Sequence, residues 1–324
     1  MEKQKICIIG GGLTGLITAI TLSKLNLKVD LITGDINQNV KSNRTIAISP
    51  NNYVFLKKLN IFEFLQKDFW PCSKMQLYAE NEKSSFSKIF EFSDDKKRKN
   101  QVLYMVENSK IQRLMIKNIK KNKSIKIKTE KIISNIFSSG LLKGVKFNNR
   151  KFKYDLIIIC TGNNSNLIKN IFKEKAYESF YDETSITTIL KHNSINNNTV
   201  RQFFFKNQIL ALLPISNTKT SIVWTVKKSL LNRYKKKSFL KKKIKFYTKD
   251  YFRKINFSTN IEYKNLNFLI RNKYFQNRIL LFGDALHVVH PFVGQGFNMV
   301  LRDLIKLEKI LKKKITLGLD IGSP

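Results

Sequence analysis

Cysteine is scarce: three residues in 324, at Cys7, Cys72 and Cys160, far apart in the chain. That spacing excludes a disulfide framework and the paired ligands of a zinc site. Cys7 and Cys160 fall in apolar strand-like runs, so the cysteines read as core residues of a reducing compartment. Long apolar runs are missing too. None reaches the roughly 18 residues of a membrane-spanning helix, so no span is expected. The start carries no signal-peptide cleavage pattern and enters a strand at once. Nothing in the sequence suggests a hydrolase-type pair of nucleophile and base. Acidic residues are few, 23 against 60 Lys and Arg, for a formal charge of +37. Such an excess raises the question of nucleic acid. However, 50 of the 60 basic residues are lysines scattered along the chain, beside abundant Asn, Ile and Phe. No RNA- or DNA-binding motif accompanies them. The bias fits an AT-rich coding sequence and a solvated basic surface, and no nucleic-acid partner is expected. Attraction to anionic lipid headgroups or acidic partners stays open.

What is present is globular. Apolar residues make up 42% of a chain long enough to bury a large core. Two stretches organise it. Ile6 to Ile9 is a short apolar run, Gly10-x-Gly12-x-x-Gly15 follows, and a helix over 16–25 leads to a second strand at Val29–Ile32. This strand–glycine turn–helix–strand context is what a dinucleotide fingerprint requires. Gly10 permits the tight turn, Gly12 lets a pyrophosphate approach, and Gly15 lets helix and strand pack. The acidic residue expected at the end of the second strand is replaced by Thr33, with Asp35 two residues on.

The second stretch is Arg278 to Asp303. Ile279–Phe282 reads as a buried parallel strand closed by Gly283. Asp284 sits just beyond its carboxyl end, where open α/β sheets bind ligands. Pro291 forces a turn. Gly294-Gln295-Gly296 opens a helix that continues through Phe297, Asn298 and Leu301, and such a start suits a pyrophosphate or a flavin ring.

Together these stretches resemble the class A flavoprotein monooxygenases of the para-hydroxybenzoate hydroxylase type, and within them the ubiquinone-biosynthesis hydroxylases. That family's pattern GDAAHxxHPxxGQGxNxGLRD is matched at Gly283, Asp284, Ala285, His287, His290, Pro291, Gly294, Gln295, Gly296, Asn298, Leu301, Arg302 and Asp303. Arg44–Ser49 is similar to the family's Arg-containing segment, Tyr104–Asn108 to its YVVEN strand end, and Ala211–Pro214 with Ser221–Trp224 to its ALLP…SxVW pair. The likeness spans essentially the whole chain.

The resemblance implies FAD as cofactor, NAD(P)H as transient co-substrate, and hydroxylation of a prenylated phenol by O2 through a flavin C4a-hydroperoxide. It implies that Gly10, Gly12 and Gly15 cradle the pyrophosphate, that Asp284 meets the ribityl chain, and that Leu13, Thr14 and Gly283 also belong to the cofactor site. Pro291 with Gly294, Gln295, Gly296, Phe297 and Asn298 would stabilise the flavin's pyrimidine edge. Arg44 and Asn108 approach the flavin by resemblance only. No catalytic residue is assigned. His287 and His290 read first as structural hydrogen-bonding groups. Thr161-Gly162-Asn163-Asn164-Ser165 departs from the family's Asp-Gly-x-x-Ser, because Thr161 carries no charge. Two further readings stay open: another FAD enzyme on lipid-like substrates, of prenyl reductase type, and a truncated non-catalytic copy.

The expected fold is α/β (α+β), a Rossmann-like FAD-binding domain interleaved with a mixed or antiparallel substrate domain. The boundaries are drawn at 1–75, 101–170 and 271–324 for the first and 76–100 and 171–270 for the second. Helical spacing covers Val54, Phe55, Leu56, Leu59, Phe62, Phe64 and Leu65. A charged turn is expected over 94–100, and an amphipathic helix over 109–121 carries Ile111, Leu114, Met115 and Ile119 on one face. A small antiparallel meander is expected over 124–153. Ile261–Leu269 is expected to return the chain to the cofactor domain. Family members continue beyond the last helix, so Ile310, Leu311 and Ile315 are expected to be more exposed here than in relatives. The expected location is cytoplasmic, with peripheral work at the inner membrane beside other ubiquinone-biosynthesis proteins.

Overall fold

Short runs of apolar residues, buried on both faces, build the first layer. A computed structural model of the chain describes residues 3–36, 42–61, 68–82, 85–93, 101–129, 133, 135–147, 149–162, 166–172, 176–290, 294 and 296–324. Strand β1 (Lys5–Ile9) lies in the middle of a six-stranded sheet. On one side it pairs in parallel with β2 (Lys28–Thr33), which pairs with Ile125–Thr129. On the other it pairs with Leu156–Ile159, which pairs with Ile279–Leu281. Phe275–Gln276 adds a short antiparallel edge. The chain leaves β1 in one direction first and returns to its other side later. Such a reversal opens a crevice beyond the strands' carboxyl ends. Helix α1 (Leu13–Leu22) and the long helix Gly296–Thr316 pack on this sheet through Leu16, Ile20, Leu301 and Leu304.

The second layer is a nine-stranded sheet. It is antiparallel throughout except where Thr199–Phe205 meets Lys74–Glu80 in parallel. Its residues alternate, as a half-covered sheet should. Leu210, Leu212, Ile222, Trp224 and Val226 point to one side, where the helices Lys228–Lys235 and Lys237–Thr248 cover them with Tyr234, Leu240 and Ile244. These two lysine-rich helices bury only a few apolar positions each. Ala211, Leu213 and Val223 point to the other side, toward the crevice. A three-stranded sheet of Thr45–Ile48, Leu103–Glu107 and Trp70–Cys72 joins the layers.

Several sequence expectations need correction. Ile125–Thr129 is the edge strand of the parallel sheet, because Ile125 and Ile127 pack on the first core; the meander is confined to the three strands between 135 and 154. Glu262–Ile270 is a long strand of the nine-stranded sheet, paired with Tyr177–Lys191, and the chain leaves that sheet only after it. In the helix Pro50–Lys58, Tyr53, Phe55 and Leu56 are buried and Val54 faces solvent. Leu311 is buried although Ile310 is exposed, and Ile315 packs on the core, so the last helix presents a mixed face. Phe62, Phe64, Leu65, the turn over 94–100, and Asn163, Asn164 and Ser165 lie outside the described residues. No helix among the described residues is long and apolar enough to cross a membrane.

A buried charge cluster ties the sheet to the meander. Asp30 is almost fully buried in β2 and accepts a 2.8 Å hydrogen bond from the Tyr154 hydroxyl. The ammonium groups of Lys5 and Lys128 each lie 3.2 Å from the same carboxylate oxygen. Burial pushes the Tyr154 phenol far up, so it stays protonated and donates.

Candidate active site

The glycine fingerprint divides the work as its spacing suggests. Gly10 has φ +125, and a Cβ there would stand 2.6 Å from the Cys160 carbonyl oxygen. At Gly15 a Cβ would stand 1.9 Å from the Gly10 carbonyl oxygen. These two glycines are needed by the fold itself. Gly12 differs: a Cβ there meets nothing within 4 Å. It caps α1 without any side-chain hydrogen bond. The first N–H groups of the helix therefore have no intrahelical partner and lie beside open space.

That open space is a cavity of about 900 Å3 between the parallel sheet and the nine-stranded sheet. Of the residues singled out from sequence, it is lined by Gly10, Gly12, Leu13, Thr14, Arg44, Asn108, Asp284, Gly294, Gly296 and Phe297. Thr161 also lines it. The fingerprint and the second stretch touch directly, since a Cβ on Gly283 would lie 2.7 Å from the Thr14 methyl. Asn108 donates its backbone N–H to the Arg44 carbonyl at 2.9 Å, which joins the two segments matched on the far wall.

Three candidates lie behind the wall. Gly15 and Gly283 are buried packing positions. Asn298 is also buried, and its side chain bonds within the protein. It donates to the Ala47 carbonyl at 2.7 Å and accepts from the Ser49 N–H at 3.0 Å and from the Asn52 amide at 2.8 Å. Its amide holds the helix Gly296–Thr316 against the strand Thr45–Ile48. Pro291 and Gln295 lie outside the described residues. Thr33, at the position where an acidic residue was expected, packs against the Gly11 backbone, and Asp35 is exposed two residues later.

The structure adds residues that sequence reasoning passed over. Lys264 lies in the cavity wall with Arg44 and Asp284. Burial and, after it, the Arg44 guanidinium push the Lys264 ammonium below its usual range, and Asp284 opposes them. Gln112 lines the wall one helical turn after Asn108, an i,i+4 spacing that could have been read. Ser185, Thr187, Gln202 and Thr225 come from the nine-stranded sheet. His290 makes a 3.0 Å contact with the Glu183 carboxylate and meets the Tyr181 ring edge-on at 5.1 Å. It bridges the turn after the Asp284 strand to the strand Tyr177–Lys191. Burial pushes the Cys160 thiol up to about 12, so it is no nucleophile at neutral pH.

These residues fit FAD. An open helix start without a cap, a carboxylate at the end of a parallel strand, and a second helix start at Gly296 converge on one cavity. The far wall carries Ala211, Leu213 and Val223, an apolar surface for a ring. Fold and cavity together define a class of FAD-binding α/β proteins. The chain belongs to the FAD binding domain family, whose model matches residues 3–317. Curated relatives agree. Ubiquinone biosynthesis monooxygenase COQ6 of Dictyostelium discoideum is 23% identical over 98% of this chain and 78% of that protein. Ubiquinone hydroxylase UbiM of Neisseria meningitidis is 22% identical over 98% of this chain and 70% of its own length. Among solved structures, a variant of PqsL from Pseudomonas aeruginosa superposes with a TM-score of 0.83 over 99% of this chain and 89% of that one, at 13% identity. A variant of Klebsiella pneumoniae HpxO complexed with FAD gives 0.74 over 95% and 81%, at 17% identity. At those identities the structural likeness is one of fold.

Proposed function

We propose that the chain is an FAD-dependent monooxygenase that hydroxylates the aromatic ring of a prenylated phenol in ubiquinone biosynthesis, with O2 and NAD(P)H as co-substrates. The observation that carries this reading is the cavity, which has a dinucleotide-type helix start on one wall and an apolar sheet face on the other. The names of the relatives supply the substrate class.

FAD, when bound, supplies the dioxygen chemistry that amino-acid side chains lack. The chain's own residues bind, orient and exclude water. N–H groups at the start of α1 hold the pyrophosphate, with Gly12 leaving room for it. Asp284 accepts hydrogen bonds from ribityl hydroxyls. The helix start at Gly294, Gly296 and Phe297 offsets negative charge at the pyrimidine edge, and Arg44 and Lys264 add positive charge on the facing wall. The sheet face of Ala211, Leu213 and Val223 keeps bulk water from the reacting ring. NAD(P)H visits transiently, because the chain has only one fingerprint. Residues 1–75, 101–170 and 271–324 form the cofactor unit in this reading, and 76–100 and 171–270 the substrate unit. Contact with a membrane surface is part of the proposal. Exposed Phe90 and Phe92 lie on the edge strand Phe86–Ser93 of a strongly basic chain.

The test is to load the purified protein with FAD and add a prenylated phenol with NADH or NADPH. The expected result is NAD(P)H oxidation matched by O2 uptake and a hydroxylated product. A yellow, flavin-loaded protein whose O2 uptake no phenol stimulates would rule the reading out.

A further inference from the structure

Register across the nine-stranded sheet places one row of side chains on the cavity face. Thr187 pairs with Val223, Val223 with Ala211, Ala211 with Gln202, and Gln202 with Leu77. Residues paired in register share a face. Gln202 is thus the amide in a row that is otherwise apolar from Val223 to Leu77.

Gln202 is only 3% exposed, and its Oε1 is buried without a hydrogen-bond partner. A buried carbonyl oxygen with no hydrogen-bond partner is destabilising. Buried polar side chains are seldom left without a protein, water or ligand partner. The amide lines the cavity, so the missing partner comes from whatever fills that space. The cationic groups of the cavity, Arg44 and Lys264, lie near Asp284 in a different part of its wall. Arg201, the neighbour of Gln202, is on the opposite face, where its guanidinium stacks over the Tyr251 ring at 4.6 Å. A carboxylate oxygen placed at Gln202 Oε1 would meet another acceptor. The position suits an uncharged donor within an apolar ring.

We propose that Gln202 is the substrate-orienting residue: its Oε1 accepts a hydrogen bond from the ring hydroxyl of the un-ionised phenol and fixes the ring's rotation against Ala211 and Val223. This rests on the phenol-hydroxylase reading and deepens it. A site built around a hydrogen bond discriminates strongly against an analogue that lacks the donor, because its own polar group is then left unpaired.

The experiment is isothermal titration of the FAD-loaded protein with 2-farnesylphenol and with farnesylbenzene, which lacks the hydroxyl. The wild type is expected to bind the phenol about tenfold more tightly, which is about 1.4 kcal/mol. Gln202→Leu and the more nearly isosteric Gln202→Met are expected to bind both ligands equally, with farnesylbenzene held at least as well as by the wild type. A purely structural role would weaken both ligands together and keep their ratio. If the tenfold preference survives in both variants, Gln202 does not orient the ring and the inference falls while the phenol reading stands. If the wild type binds neither ligand, the phenol reading falls and takes the inference with it.

Discussion

A Cβ at Gly15 would stand 1.9 Å from a backbone oxygen, while across the cavity Ala211, Val223 and Gln202 form a wall entirely from side chains. The two walls are specified differently. On the parallel-sheet side the glycine turn presents backbone to the cavity, with a few side chains such as Thr14 and Asp284 beside it. On the nine-stranded side the backbone is a uniform ladder, and the chemistry lies in which residues alternate into the cavity. Substitutions on the first wall therefore act through space and fold, and substitutions on the second through ligand preference. That division suits a shared cofactor chemistry with an adjustable substrate face.

The sharpest way to break the contrast is Gly15→Val. The added side chain collides with the Gly10 carbonyl, and the protein is expected to lose its cooperative unfolding transition by circular dichroism. Asp30→Ala comes next. It leaves Lys5, Lys128 and the Tyr154 hydroxyl around an empty buried site, at a cost of about 3 kcal/mol, the lower end for a broken buried pair because both lysines reach solvent. Urea denaturation reads this directly.

Gly12→Val sharpens the comparison. Its Cβ meets no protein atom, so the apoprotein should unfold within about 0.5 kcal/mol of the wild type. Flavin affinity should fall about a hundredfold or more, the equivalent of about 2.7 kcal/mol. Asp284→Ala should behave likewise but more mildly, with about a tenfold loss. An apoprotein as damaged by Gly12→Val as by Gly15→Val would erase the distinction between the two glycines.

The smallest effect is on the other wall's support. His192 is buried, its Nε2 lies 3.0 Å from the Thr220 hydroxyl, and its ring stacks on Phe252 at 4.2 Å. Burial holds its pKa below the ordinary 6.5. The unfolded chain therefore takes up a proton first as pH falls. Stability should decline from about pH 6.5 downward, by at most about 1.4 kcal/mol per pH unit. His192→Gln should flatten that slope, and an unchanged slope would assign it to other groups.

The backbone-built wall was legible in the sequence because its determinants are local. Gly10, Gly12 and Gly15 sit between a short apolar run and a helix, and Asp284 follows a similar run. The side-chain wall was not legible. Gln202 faces the cavity because Thr199–Phe205 pairs with the next strand, Gln208–Ser216, and with Lys74–Glu80, and the second partner lies far away in the sequence. Lys264 was hidden for the same reason, in a strand expected only to carry the chain back. Asn298 shows the reverse error. It lies in the most specific motif of the chain, yet its amide bonds within the protein, because a helix start beside a ligand must itself be held in place.

The central position of β1 also has a consequence in time. The strand is synthesised first, and its neighbour on one side, Leu156–Ile159, arrives only after the meander. Beyond that, the sheet is completed by Ile279–Leu281. At about 5–20 residues per second, residue 281 leaves the ribosome roughly 15–55 s after residue 9. Throughout that interval one edge of the growing parallel sheet, first that of β1 and then that of Leu156–Ile159, has no partner. Parallel pairings over such separations also form slowly once the chain is complete. The nascent protein thus depends on whatever shields that edge, and its yield on expression should respond to chaperone supply and to temperature before any change in the stability of the finished fold is felt.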